Sequence, residues 1–420
     1  MPDKKDEIKK GIKFHEIETN KFKTNLFAIF LTVPLKRETV TKNALLAATL
    51  RRGTMEFPTQ EQISKELEEM YGASFDCGIE KSGDYHTFKF YLETINDEYL
   101  PQKEELSQKC LELLLSIIFN PYIENEAFKE EYLQGEKENL KQIIEGKIDN
   151  KGTYALDKSI EAMYKGEPYG LYKYGYVEDL EEITAKDLYK YYLEVIEKCK
   201  IDIFASGENI EKLYEKVKEN KNIQKLKERT PEKVEEKEKK EVKIPQIINE
   251  SMDVTQGKLI IGLDVFSKEK DVDYITMVYN GILGVGANSK LFQNVREKAS
   301  LAYTCGSNFV KRKHIILIRA GIEIKNYEKA VNIINEQLQD IQKGNFTQED
   351  LENTKNLIYA TINNIEEEQD TEISYYFGQE LAEKNITTEE YKEKIKKVTK
   401  QDVIEVAKTI KTNTIYFLKD

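Results

Sequence analysis

Two side chains in the second half of the chain, Arg296 and Tyr303, are of types that could act on a peptide carbonyl. Arginine offers a fixed fork of N–H donors and tyrosine a neutral O–H donor, and both suit a carbonyl oxygen that gains negative charge. Asn288 or Ser289 could cap a short helix that begins after a glycine-rich turn and ends near Arg296. A second turn then leads to a strand that carries Tyr303, so the guanidinium and the phenol could approach one point. The alternative is a surface arginine paired with a helix carboxylate, beside a packed tyrosine.

The glycines of this segment, Gly281, Gly284 and Gly286, loosely resemble a phosphate-binding loop. A dinucleotide-binding loop directly follows a strand, whereas residues 271–283 have the pattern of a helix. Nucleotide binding is therefore not expected.

Residues 281–307 as a whole resemble the second-half signature of the pitrilysin/insulinase-type zinc peptidase family, in the branch of mitochondrial processing peptidase. The matching positions are Gly284, Gly286, Ser289, Leu291, Phe292, Val295, Arg296, Glu297, Lys298, Leu301, Ala302 and Tyr303. In that family the arginine and the tyrosine contact the substrate backbone and help to stabilise the reacting carbonyl. The resemblance therefore implies that Arg296 and Tyr303 bind substrate.

Catalytic members of that family carry His-x-x-Glu-His, which places two imidazole ligands and a general-base carboxylate on one helical face. The similar segment here is residues 41–54, and it puts Ala44, Ala47 and Ala48 at the three chemical positions. A further glutamate ligand of the family aligns with Ile143. Methyl groups neither bind Zn²⁺ nor activate water, so no cofactor is expected in this chain. The three alanines are equally compatible with a helix packed closely on a sheet.

The remaining metal-binding and nucleophilic residue types are sparse. The three histidines, His15, His86 and His314, are too far apart in sequence to chelate one metal from a single helix. The four cysteines form no C-x-x-C pair, so we expect free thiols. No serine or cysteine has a nearby base that would make it a nucleophile.

The order of predicted elements repeats once along the chain. Residues 22–35 favour a strand, helical patterns follow at 41–52 and 59–71, and alternating segments at 73–80 and 84–93 suggest a hairpin. The same order returns as a strand near 257–266, helices near 271–284 and 289–299, and strands near 301–309 and 314–323. This predicts an α+β fold of two homologous α/β domains. We expect domains at 1–215 and 247–420, joined by a charged linker at 216–246.

The composition of the chain limits the classes of molecule that it could bind. A formal charge of −12 over 420 residues opposes binding to nucleic acid. We find no apolar signal-peptide core and no apolar run long enough to span a membrane, so a cytoplasmic protein is expected.

In heterodimeric relatives one chain brings zinc and the other brings the arginine and the tyrosine. We therefore expect this chain to pair with a zinc-bearing sister subunit and to help bind a peptide substrate, with a homodimer left open. A peptide could add to the strand around Ser74 to Glu80. The rival interpretation is a non-enzymatic scaffold, or a subunit that presents a peptide to a modifying enzyme.

Overall fold

The computed structural model describes residues 4–235 and 238–420 and contains long strands and helices in alternation. The strands are β1 Lys4–Lys9, β2 Ile12–Glu18, β3 Thr24–Pro34, β4 Ser74–Ser82, β5 Tyr85–Ile95, β6 Ile123–Glu124, β7 Ala127–Phe128, β8 Lys200–Gly207, β9 Gln246–Ser251, β10 Gly257–Val265, β11 Ala302–Val310, β12 Ile315–Ile322 and β13 Ile410–Lys419. The helices are α1 Val40–Leu50, α2 Gln60–Glu69, α3 Leu106–Phe119, α4 Glu130–Glu145, α5 Lys151–Met163, α6 Val177–Leu180, α7 Ala185–Lys198, α8 Leu213–Glu219, α9 Lys221–Lys225, α10 Val272–Gly284, α11 Tyr327–Gln342, α12 Gln348–Asn363, α13 Gln369–Leu381, α14 Thr388–Lys397 and α15 Lys400–Thr409. No helix in the described ranges is both long enough and apolar enough to cross a membrane.

The chain divides into two compact units. Unit 1 comprises residues 1–145, 171–235 and 365–385, and unit 2 comprises residues 146–170, 236–364 and 386–420. Each half of the sequence therefore contributes one helical segment to the other half's unit, namely α5 to unit 2 and α13 to unit 1. The expected domains, 1–215 and 247–420, would instead leave α5 with the first half and α13 with the second half.

The two units share one sheet topology. Unit 1 has the strand order β1-β2-β8-β3-β5-β4, and unit 2 has the order β11-β12-β10-β13-β9. In both sheets a central strand, β3 or β10, is antiparallel to both of its neighbours. One neighbour is β8 or β13, the last strand of that half of the sequence. The other is β5 or β12, the second strand of a β-hairpin. The last strand in turn pairs in parallel with one further strand, β2 or β9. The predicted α+β fold of two repeated sheet-plus-helix halves is confirmed.

The central strands β3 and β10 are nearly continuously apolar, and both are buried on the two faces of their sheets. In β3 the side chains of Phe27, Ile29 and Leu31 enter a core with the buried faces of α1, α3 and α7. Ala28 and Phe30 face the other way, and Phe30 stacks on Phe377 of α13 with ring centroids 4.0 Å apart. In unit 2, Ala155 of α5 packs with Ile260, Tyr416 and Leu418 on one sheet face.

Local signals place several boundaries correctly. The hairpin between β4 and β5 turns at Gly83, whose φ of +59° suits a residue without a Cβ. Gly72, with φ +75°, follows α2 as a C-terminal cap, and its N–H donates to Glu68 O at 3.2 Å.

Other segments differ from expectation. The sequence pattern of residues 124–147 predicts one long helix, but α4 begins only at Glu130 because residues 123–128 form the small β6–β7 hairpin. Within the stretch expected to be a solvated linker, Val217, Ile223 and Leu226 are buried in the core of unit 1. Their apolar side chains, spaced among lysines and glutamates, are enough to fix α8 and α9 on that core.

Candidate functional site

A cavity of about 380 Å³ in unit 1 is lined by the four positions that the resemblance assigns to zinc chemistry. Ala44, Ala47 and Ala48 line it from α1, and Ile143 lines it from α4. The segment Cys77–Gly78–Ile79 of β4 supplies another wall. The helical spacing of i, i+3 and i+4 puts the three alanines on one face, and the packing of α4 beside α1 brings Ile143 to the same space.

The polar groups of this cavity do not fit a zinc ion. The Glu136 carboxylate is buried and forms an ion pair with Arg52, which also donates to Gln60 Oε1 at 3.3 Å. The Cys77 thiol donates to Ala47 O at 3.7 Å, and burial raises its pKa to about 11. Zinc sites in proteins use three or four deprotonated or neutral ligands, whereas this lining offers a protonated thiol and a carboxylate neutralised by arginine.

Next to the alanines, a buried hydrogen-bond chain fixes α1 to β5 and α7. The Tyr191 hydroxyl donates to Asn43 Oδ1 at 2.6 Å, which leaves Asn43 Nδ2 to donate to His86 Nδ1 at 3.0 Å. Burial lowers the pKa of His86 to about 3. A ring nitrogen that accepts a hydrogen bond must be unprotonated, so His86 is a neutral, structural histidine.

A second polar cluster in unit 1 was not found from the sequence. His15, Asp202 and Glu380 form the one group of three candidate metal ligands within the described residues. His15 Nε2 lies 3.0 Å from Asp202 Oδ1, and its ring stacks on Phe204 with centroids 4.2 Å apart. The carboxylates are paired with lysines, since Lys200 contacts both Asp202 and Glu380. The cluster therefore joins α13 to strands β2 and β8. Because Lys200 pairs with both carboxylates, their charge is already compensated, which argues against a bound metal cation.

Arg296 lies in unit 2 on a π-helical segment, Phe292–Lys298, where a regular helix was expected. Its guanidinium stacks on the Phe292 ring at 4.5 Å from the centroid, and its Nε lies 3.6 Å from the Glu297 carboxylate. The Ser289 hydroxyl donates to Gly286 O at 2.8 Å, and the segment Phe292–Lys298 has no side-chain cap at Leu291. Single-turn π-helices occur frequently at functional sites.

Tyr303 follows Arg296 across a tight reversal. Leu301 N–H donates to Val295 O at 3.0 Å, and Ser300 at the turn has φ +52°. Tyr303 then enters β11 with 69% of its surface exposed. The alternative was a paired arginine beside a packed tyrosine. Arg296 does lie beside the Glu297 carboxylate, but Tyr303 is not packed. Both side chains lie on the surface of one unit, on either side of this turn.

A larger cavity, about 550 Å³, lies in unit 2 and is bounded by both ends of the same motif. Gly284 to Gly286 form one side, and Thr304 to Asn308 of β11 form another. Lys258 of β10 and Arg319 of β12 also line it. Neither cation was singled out from the sequence, and only the pairing of the strands brings them beside the motif.

The chain matches the family model described as peptidase M16 inactive domain over residues 182–358. It is 36% identical over 417 residues to a Bacillus subtilis (strain 168) protein named probable inactive metalloprotease YmfF, which covers 97% of this chain and 96% of that relative. Among solved structures, a conserved protein from Enterococcus faecalis V583 has a TM-score of 0.90 and 29% identity, covering 100% of this chain and 99% of the other. A peptidase M16 inactive domain from Pseudomonas fluorescens has a TM-score of 0.79 at 17% identity, covering 99% and 98%, and is similar in fold.

Proposed function

Because the chain belongs to the peptidase M16 family, we propose that it is a non-catalytic subunit that pairs with a zinc-bearing sister chain and lends Arg296 and Tyr303 to peptide hydrolysis. The observation that carries the proposal is the lining of the unit 1 cavity. Ala44, Ala47, Ala48 and Ile143 all reach that cavity, where zinc peptidases of this family need their ligands and base.

The first consequence concerns what this chain can do alone. A peptide bond is hydrolysed by a metal-activated water only when ligands hold the metal and a base takes the proton. The unit 1 cavity has an apolar floor and an arginine-bound carboxylate, so it provides neither. Zinc in the sister chain would polarise the carbonyl and activate the water, and this chain would bind and orient the peptide.

The second consequence concerns Arg296 and Tyr303. Both are exposed on unit 2, and among the described residues Tyr303 has no hydrogen-bond partner. An unpartnered phenol and a guanidinium held on Phe292 are free to donate to a peptide carbonyl.

The complex would form in the cytoplasm. The four cysteines are all free, as expected, and a reducing compartment keeps thiols in that state. The sister chain is the expected partner, and a homodimer would form a chamber without any zinc site.

The test is co-purification with a sister chain that contains His-x-x-Glu-His, followed by a peptide cleavage assay. We expect Arg296→Ala and Tyr303→Phe each to lower kcat/KM by about 100- to 1000-fold, the range seen when a carbonyl-stabilising donor is removed. The matched controls are Lys325→Ala and Tyr99→Phe, an exposed lysine and an exposed tyrosine outside the motif, which should leave turnover unchanged.

Two results would overturn the proposal. Unchanged turnover in both motif variants, with the complex intact, would leave the chain as a scaffold. Stoichiometric zinc on this chain alone, measured by metal analysis of the purified subunit, would contradict the loss of the metal site.

A further inference from the structure

The unit 2 cavity has a one-sided charge. It is lined by two cationic side chains, Lys258 and Arg319, and by no aspartate or glutamate. In the whole chain 76 of 420 residues are acidic and the net charge is −12. Because the lining contains no acidic side chain, the cavity is locally positive on a net negative chain, which suits an anionic ligand.

The strand register puts the two cations side by side. Lys258 lies opposite Gly321 and Ile260 lies opposite Arg319 in the β10–β12 pair. Residues two apart on a strand point to the same face, so Lys258 and Arg319 are diagonal neighbours with Cβ atoms roughly 7 Å apart. Two cationic side chains at this spacing can both bind one carboxylate.

Glycine keeps this position open. Across the β11–β12 pair Arg319 lies opposite Gly306, which has no side chain to cover it. The exposed guanidinium of Arg319 has no carboxylate or other hydrogen-bond partner within the described residues. The Lys258 Nζ donates to the neutral Gln256 Oε1 at 2.5 Å. Both charges are therefore available to a ligand.

The rest of the lining suits a peptide backbone. Strand β11 is at the edge of its sheet, so one side of its backbone has no strand partner within the described residues. Thr304, Ser307 and Asn308 add neutral hydrogen-bonding groups to the lining. Two cations are too few for a nucleic-acid backbone on a chain of net charge −12.

We propose that this cavity binds a peptide through an acidic side chain, with the carboxylate held by the guanidinium fork of Arg319 and the ammonium of Lys258. The inference extends the proposed function, since it names acidic peptides as the substrate class of the complex. Arginine and carboxylate form paired, charge-assisted hydrogen bonds, which supply both affinity and orientation. Tyr303 directly precedes the lining residue Thr304, so a peptide bound here would run past the Arg/Tyr motif.

The test uses the full chain alone and fluorescence anisotropy of three labelled peptides. The first has a central glutamate and an amidated C-terminus, the second has glutamine in its place, and the third is the glutamine peptide with a free C-terminal carboxylate. We expect the glutamate peptide to bind at least about tenfold more tightly than either glutamine peptide, because hydrogen bonds from two cations to a carboxylate are stronger than those to a neutral amide. The preference should shrink as salt is added.

Variants assign the preference to the two cations. Arg319→Gln and Lys258→Gln should each weaken binding of the glutamate peptide, and the double variant should bind all three peptides equally. Lys329→Gln, an exposed lysine on α11 that does not line the cavity, removes the same charge and should keep the full preference. Circular dichroism of each variant verifies folding.

Equal affinity for the glutamate and glutamine peptides would overturn the proposal, and so would a preference that survives in the double variant. Preference for the free C-terminus alone would also overturn it, since the cavity would then recognise a terminal carboxylate. These outcomes are independent of the sister chain, so they are distinguishable from a failure of Arg296 and Tyr303 to affect turnover.

Discussion

Lys200 of β8 and Glu380 of α13 form an ion pair, with Nζ 3.1 Å from Oε1, that fixes a helix from late in the sequence onto the sheet of unit 1. Lys13 of β2 donates to the same oxygen at 2.5 Å. Helix α13 otherwise packs through Ile373, Tyr376 and Phe377, and this polar cluster defines its register.

Replacement of Glu380 by glutamine should destabilise unit 1. The change leaves the partly buried Lys13 without its anion and leaves Lys200 with Asp202 alone. The loss of one partner from a buried pair costs about 3–5 kcal/mol. Because the chain has no tryptophan, urea denaturation followed by far-UV circular dichroism measures the loss of unfolding free energy. Glu383→Gln is the control, because the exposed pair of Glu383 with Lys233 should contribute little. Equal stability of the two variants would contradict this role of Glu380.

The same carboxylate predicts a pH dependence. Burial alone would raise the pKa of Glu380, but the charge of Lys200 and hydrogen bonds from Lys13 and Lys5 hold it well below its usual range. The folded-state pKa lies below the unfolded one, so this stabilisation is full above about pH 5 and is lost as the pH falls. In the glutamine variant the fall in urea midpoint below about pH 5 should be smaller than in the wild type.

His86 should add a second acid-sensitive contribution at higher pH. Its pKa falls to about 3 in the folded state because burial disfavours the cation, while the unfolded chain protonates it near the ordinary value of 6.5. Stability is therefore full above about pH 6.5 and is lost progressively toward pH 3. His86→Leu should lower stability at pH 8, where the bond to Asn43 is lost, yet weaken the decline between pH 7 and pH 5. A decline identical to that of the wild type would refute a neutral His86.

The positions assigned to the absent zinc ligands can be tested by restoring them. The fourfold variant Ala44→His, Ala47→Glu, Ala48→His and Ile143→Glu should bind one zinc per chain, because all four positions line one cavity. The threefold variant that retains Ile143 lacks one ligand and should bind zinc at least about tenfold more weakly. Metal analysis and competition with a chromogenic chelator give both values. Equal zinc affinity of the two variants would show that residue 143 is not beside α1.

Two glycines offer a matched test of packing at the motif. A Cβ on Gly284 would lie 2.5 Å from the backbone N of Ser307, whereas one on Gly378 in α13 would meet nothing within 4 Å. Gly284→Ala should therefore cost about 1–3 kcal/mol through overpacking. Gly378→Ala should be neutral or stabilising by up to about 1 kcal/mol, since alanine favours helix. Thermal unfolding of both variants decides the comparison.

Local patterns in the sequence carried most of the secondary structure and the family. Apolar alternation, helical spacing and turn glycines set β3, α1, the β4–β5 hairpin and their counterparts in the second half, because these signals involve residues close in sequence. The motif at 281–307 indicated the family, which the comparisons confirmed. The π-helical segment that carries Arg296 was missed, since its residues have no local pattern that distinguishes it from a regular helix.

The sequence by itself determined that this chain is an α+β protein of two repeated halves in the peptidase M16 family, because residue identities and short-range spacing suffice for that. That Ala44, Ala47 and Ala48 stand in place of zinc chemistry stays a prediction. Only the tertiary structure decided that α5 and α13 are exchanged between the units, that Ile143 shares a cavity with Ala44, and that Lys258 lies beside Arg319. These relationships are set by helix docking and by strand register over long sequence separations. A shift of one residue in register would turn Lys258 or Arg319 to the opposite face of the sheet, and no local pattern specifies that choice.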